Sequence, residues 1–184
     1  GHGMSGFLGW MPAAATRAAL ADLHHRIRAA LPADAPRHDW RTPAQWHVTL
    51  RYLGESIDDA QRTRIDAAMI ELAATTHAPD ASILGAQYWP HAKVLVAKIE
   101  ASDALKRLLK QLEATMQDCG FAKERAQTAH VTLAYLAHRD APAQPTPLAT
   151  PVPLRIDRLQ LLRTVPGAYM SLASWPLASI ATDA

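Results

Sequence analysis

At 184 residues, with 49% apolar and 20% charged side chains, the chain has the balance of a soluble globular protein long enough to build a true core. No apolar run approaches the roughly 20 residues of a membrane span. The single cysteine, Cys119, excludes an internal disulfide and a thiolate zinc cluster, and a net charge of +2 tolerates an anionic substrate without marking a nucleic-acid surface.

Gly1-His2-Gly3 ahead of Met4 reads as a cloning scar, which leaves one domain over 4–184 made of two closely packed lobes. The first residues lack the basic region and apolar stretch of a secretory signal, and the lone cysteine sets the expectation of a cytoplasmic location. Phe7 to Met11 predicts a short strand ended by Pro12. Leu20, Leu23, Ile27 and Leu31 keep helical spacing over Ala13 to Leu31, with His24 and His25 expected in solvent. A polar loop over 33–43 carries His38, Trp40 and Arg41 and leads into a strand at His47 to Leu53. Ser56 is a candidate N-cap for a helix over about 57–75.

Ala81 to Trp89 and Lys93 to Ile99 read as two strands turning at Pro90-His91. Ser102-Asp103 opens the most strongly patterned helix, with Leu105, Leu108, Leu109, Leu112 and Met116 on one face, and Gly120 stops it. Cys119, at its end, is expected to be buried packing. After a polar loop over 121–128 comes a strand at His130 to Leu136. Pro142 to Pro153 reads as an extended connector, and Val152 to Arg163 and Ala168 to Trp175 as a final hairpin turning at Pro166-Gly167. His77, His91 and His138 fall in predicted turns. The order β-α-β-α-β-β-α-β-β-β predicts an α+β fold with related halves.

The halves share one seven-residue stretch. His47-Val48-Thr49-Leu50-Arg51-Tyr52-Leu53 returns as His130-Val131-Thr132-Leu133-Ala134-Tyr135-Leu136, and six of the seven residues match. In a strand each His shares a face with the Thr two residues on, and Val, Leu and Tyr take the other. A single copy would be ordinary strand composition around a structural His. Packing alone does not require the same polar pair twice.

Two imidazoles that titrate near neutrality can divide acid–base work, one neutral and the other protonated. Two hydroxyls on the same faces can hold the oxygens of a phosphate between them. Opening a cyclic phosphodiester requires this set: a base for the attacking water, an acid for the departing oxygen, and donors for the charge that builds up. A zinc site would want more ligands, and no Asp or Glu lies in either motif strand. Neither a Walker loop nor a dinucleotide glycine pattern is present. The expected chemistry therefore uses neither metal nor cofactor.

Residue by residue, the paired stretches resemble the His-x-Thr motifs of the 2H phosphoesterase superfamily, in its bacterial 2′-5′ RNA ligase-like branch of RNA 2′,3′-cyclic phosphodiesterases. The likeness extends from the first helix through the Trp46 to Glu55 run to a closing segment with Arg163, Gly167, Tyr169 and Trp175-Pro176-Leu177. It implies a bilobal α+β fold of pseudo-symmetric antiparallel lobes, helices outside and a cleft between them. It also implies opening of terminal 2′,3′-cyclic phosphates to 2′-phosphates, with a weak reverse joining of RNA ends. By the family's assignment His130 activates water, His47 protonates the 3′ oxygen, and Thr49 and Thr132 bind the phosphate.

The chain departs from that branch at Gln127, Ala129 and Tyr135, where relatives carry Phe, Pro and Arg. Arg51 shares the parity of His47 and Thr49, so it either reaches a phosphate in the cleft or ends the strand in solvent. Arg125 and Arg163 are further candidates for substrate contact, and Tyr52 and Tyr135 have core parity. Trp40, Trp46, Tyr88 and Trp89 either stack on a base or pack in the core. The expected partner is an RNA 3′ end or another nucleotide phosphoester, bound by a monomer. Rival readings are the same chemistry on a cyclic nucleotide, an ADP-ribose cyclic phosphate or a 2′-5′ oligoadenylate, and a nucleotide-binding module without turnover.

Overall fold

The two copies of the repeated stretch lie side by side at the centre of one antiparallel sheet. The computed structural model describes residues 4–137 and 146–179. Its strands are β1 (Met4–Trp10), β2 (His38–Trp40), β3 (Val48–Ile57), β4 (Asp80–Trp89), β5 (Val94–Ala101), β6 (His130–Leu136), β7 (Thr146–Arg155), β8 (Arg158–Val165) and β9 (Ala168–Pro176). Its helices are α1 (Ala14–Ala30), α2 (Asp59–Ala74) and α3 (Asp103–Asp118). The strand order is β7-β4-β5-β6-β3-β1-β8-β9, with β2 paired to β6 off that path.

A pseudo-twofold axis between β6 and β3 exchanges β5 with β1, β4 with β8 and β7 with β9. Each half is a four-stranded antiparallel sheet, which is the duplicated α+β architecture that the repeat predicts. The halves are not separate bodies. Their motif strands meet at one ladder pair, Val48 with Val131, and then diverge, with β2 filling the space beside β6.

The helices cover the sheet face that carries Leu50, Leu53, Val131 and Leu133, all members of one buried cluster. In α1, Thr16, Leu20, Leu23 and Ile27 are the buried stripe, and in α3 it is Leu105, Leu108, Leu112 and Met116. Ser102 caps α3 by accepting from the Leu105 amide at 3.1 Å. Its end is closed by Gly120 at φ +95°, where the Gly120 and Phe121 amides donate to the Gln117 and Met116 carbonyls. That left-handed position admits glycine without a Cβ penalty. Cys119 is buried there as expected, its thiol pushed up by burial.

Four local expectations need correction. α2 is capped by Asp58, which accepts from the Gln61 amide at 2.7 Å, and not by Ser56, because β3 runs on to Ile57. Residues 146–155 of the expected connector form β7, an outermost strand that bonds only to β4. Prolines are tolerated there because an edge strand needs no amide on its open side; residues 142–145 and His138 lie outside the described residues. The strand expected over Val152 to Arg163 breaks between Arg155 and Arg158 into β7 and β8. His24 is no solvated helix residue: its ring stacks on Trp40 at 4.4 Å, and burial lowers its pKa.

Candidate active site

Each candidate imidazole is held by the backbone two residues before it. The 3-10 turn at Pro43–Gln45 closes through reciprocal hydrogen bonds of Thr42 and Gln45, and the buried indole of Trp46 anchors its exit. This turn presents the Gln45 carbonyl, which accepts from His47 Nδ1 at 2.9 Å. In the other half the Thr128 carbonyl accepts from His130 Nδ1 at 2.8 Å. A carbonyl can only accept, so each neutral ring keeps its proton on Nδ1 and leaves Nε2 free.

The register explains how the four polar side chains converge. With Val48 opposite Val131 in an antiparallel pair, His47 and Thr49 flank one side of the seam and His130 and Thr132 the other. Alternation about that pair projects all four from the face opposite the buried valines.

Burial lowers the pKa of both histidines below the ordinary 6.5. The backbone hydrogen bond opposes the shift in each. His47 is depressed further by the charges of His130 and Arg41. Aromatic rings line the same face. Tyr169 lies 4.2 Å and Phe7 5.1 Å from the His47 ring, and Trp89 stands 4.6 Å from His130.

A β-bulge repeated in both copies overturns the expected parity beyond each Thr. Leu8 pairs with Arg51 but Gly9 with Thr49, which leaves Leu50 as an extra residue; Leu95 pairs with Ala134 but Val96 with Thr132, which leaves Leu133 extra. An extra residue shifts every later side chain to the opposite face. Arg51 therefore points away from the cleft and is only 3% exposed. Its guanidinium binds Glu113 of α3 at 2.8 Å and the carbonyls of Tyr52 and Ala122. Burial opposes ionisation of Glu113, but hydrogen bonds from Gln117 and Arg51 and the Glu124 amide hold it below its ordinary range.

Tyr52 and Tyr135, expected in the core, turn outward instead and are 42% and 44% exposed. Arg125 is exposed on the loop before β6. It lines a groove of about 580 Å³ with Lys106, Lys110 and Lys123 that includes neither histidine. Arg163 is exposed on β8 opposite Met170, one residue out of phase with the Thr164–Tyr169 pair that shares the His47 face. The structure thus unites His47, Thr49, His130 and Thr132 and separates Arg51, Arg125 and Arg163 from them.

Of the aromatic candidates, Trp89 alone adjoins a motif histidine; Trp46 is buried, Trp40 stacks on His24 and His38, and Tyr88 bonds His38 at 3.0 Å. Phe7 and Tyr169 pack on His47, and Arg41 acts on its charge, without having been singled out as site residues. Long-range pairing brings the two rings there, since they lie on β1 and on the edge strand β9.

A pseudo-symmetric antiparallel sheet with helices on one face and a His-x-Thr pair on each side of its central seam defines a protein of the 2H phosphoesterase type. The chain belongs to the 2′-5′ RNA ligase superfamily, whose family model matches residues 45–168 and so takes in both motifs. Among solved structures it is similar to the TT0787 protein of Thermus thermophilus, with TM-score 0.76 and 22% identity over 96% of this chain and 99% of that one. It is likewise similar to E. coli LigT complexed with 3′-AMP, with TM-score 0.76 and 18% identity over 95% of this chain and 98% of that one. The MHV ns2 PDE domain matches with TM-score 0.61 and 15% identity, over 87% of this chain and 99% of that domain. At these identities the likeness is one of fold.

Proposed function

We propose that the cleft hydrolyses the 2′,3′-cyclic phosphate at an RNA 3′ end to a 2′-phosphate. One imidazole acts as base, the other as acid, and Thr49 and Thr132 act as phosphate ligands. The observation that carries this reading is the Val48–Val131 pair, which sets two tautomer-locked imidazoles on one face with their Nε2 atoms free. E. coli LigT, a structural neighbour, is complexed with 3′-AMP, which supports a nucleotide phosphoester as ligand.

In the reaction, water attacks phosphorus as one Nε2 takes its proton. The bond from phosphorus to the 3′ oxygen breaks, and that oxygen takes a proton from the other imidazole. A P–OH group and a 3′-hydroxyl result, and the proton count is restored when the two rings exchange a proton through solvent. In-line displacement needs base and acid on opposite sides of phosphorus, which a pseudo-twofold pair supplies. Both rings favour the neutral form in the free protein. The negative phosphate restores a proton to one of them, so binding itself generates the acid.

The deciding assay is hydrolysis of a short RNA with a 2′,3′-cyclic phosphate, in EDTA, by wild type, His47→Ala and His130→Ala. The expected result is turnover to a 2′-phosphate that EDTA leaves intact and that drops about 10²–10⁴-fold in each variant. No turnover by wild type, or full turnover by either variant, sinks the proposal. A cyclic mononucleotide assayed beside the RNA separates an RNA-end enzyme from one acting on a small phosphoester.

A further inference from the structure

We propose that Arg41 is the anion clamp of this cleft: its guanidinium, seated on Tyr135 beside His47, binds the non-bridging oxygens of the phosphoester held between the two motifs. The inference rests on the reading that the cleft takes a phosphoester. It adds a ligand that lies outside both motif copies.

Three observations converge on Arg41. Its position is fixed by the backbone, since its amide donates to the Leu133 carbonyl at 2.8 Å, and Leu133 is the bulge residue of the second motif. Its guanidinium lies 4.9 Å over the ring of Tyr135, the side chain that the bulge turns outward onto the histidine face. Stacking on a ring holds the guanidinium plane and leaves its N–H edges free to bind.

Its donors are also underused. The Arg41 Nε is buried and has no hydrogen-bond partner. The nearby carboxylate, Asp39, is 3.8 Å from Nη2, beyond hydrogen-bond reach, and 69% exposed. Arg51 makes the contrast, with Nε, Nη1 and Nη2 all engaged by Glu113 and backbone carbonyls. Arg51 is built as a structural arginine, whereas Arg41 is built with capacity to spare.

The third observation is electrostatic. The rings packed on His47 are Tyr169 of β9 and Phe7 of β1, and the charges that act on it are those of Arg41 and His130 of β6. Among the described residues the carboxylate within 4 Å of the guanidinium is that of Asp39, which is exposed and too distant to hydrogen-bond it. A fixed cation acting on His47 disfavours protonating it, and a phosphate anion relieves that conflict while using the idle donors.

The pseudo-symmetry sharpens the point. Arg41 follows β2, a strand paired to β6 off the main path and without a counterpart among the described strands of the other half. The clamp therefore stands on one side of the cleft only and makes its two otherwise matched halves inequivalent.

The test is calorimetric binding of inorganic phosphate to wild type, Arg41→Met and Arg41→Lys, with histidine ring titrations followed by NMR in the free proteins. Arg41→Met is expected to weaken phosphate binding at least tenfold and to raise the pH at which His47 titrates, with a smaller change at His130. Arg41→Lys keeps the charge but loses the planar fork, and should retain part of the affinity. If Arg41→Met does not fold, Arg41→Gln is read in its place. Phosphate binding within twofold of wild type in the charge-neutral variant, or none by wild type, overturns the clamp. The RNA assay separates the two claims: phosphate binding that needs Arg41 without turnover by wild type sinks the phosphodiesterase reading alone, and turnover with Arg41-independent phosphate binding sinks the clamp alone.

Discussion

The two histidines do equivalent chemistry only if their environments keep them interchangeable, and they do not. Both are depressed by burial, but His47 alone also feels Arg41. Above the ordinary value of 6.5 both rings are neutral in the free protein and the acid is missing. Lowering the pH toward the depressed values restores one proton, and lowering it further removes the base. The kcat/KM profile, which reports the free enzyme, is therefore expected to peak on the acid side of pH 6.5 and to fall through neutrality. A measured optimum well above neutrality sinks this account. His47, Thr49, His130 and Thr132 were legible because alternation and repetition are properties of the sequence itself. Arg41 was not legible, because its role depends on a ring 94 residues away, Tyr135, one of the three departures from the family pattern.

At the scale of single elements, the repeated bulge is what the alternation rule could not foresee. The rule places Arg51 with His47 and Thr49 and places the tyrosines inward; one extra residue per strand reverses both. A clue lay in the sequence, since the core-parity position after Thr holds Leu in both copies while the next differs, Arg51 against Ala134. Nothing local says which of two adjacent residues will go unpaired. β2 is three residues long and β7 is rich in proline, so neither carries a period that sequence alone can read.

The bulge in β3 also constrains its neighbour. A Cβ on Gly9 would lie 2.7 Å from the Val48 carbonyl, a backbone atom that cannot swing aside. Gly9→Ala is therefore expected to cost about 1–3 kcal/mol of stability by overpacking. Because Val48 joins His47 to Thr49, it should also reduce phosphodiesterase turnover. Wild-type stability in a urea titration of this variant would show that β1 can yield at that point.

At the scale of the fold, three histidines with depressed pKa values among the described residues, His24, His47 and His130, make stability depend on pH. The unfolded chain takes up protons at the ordinary 6.5 while the folded one resists, so their contribution is complete above 6.5 and is lost as pH falls through the folded values. The urea midpoint is expected to drop between about pH 7.5 and about pH 5, and to drop less when all three are replaced by Gln. A flat midpoint in wild type over that interval would refute the burial of neutral rings. At this scale the sequence conveyed the duplication and the α+β class, because both follow from element order. It did not convey that the halves share one continuous sheet, which rests on a single pair of valines.

The strand order also sets a timetable for synthesis. β4 to β7 are consecutive in the chain, so one half-sheet can pair fully from residues 80–155 as they emerge. The other half begins with β1 and β3 but must wait for β8, whose Leu162 meets Phe7 from 155 residues further on. Until then one edge of β1, next to the ring that touches His47, stays unpaired and open to aggregation. Strand β1 is thus among the last of these strands to be fully paired, and the cleft matures only after β8 has emerged.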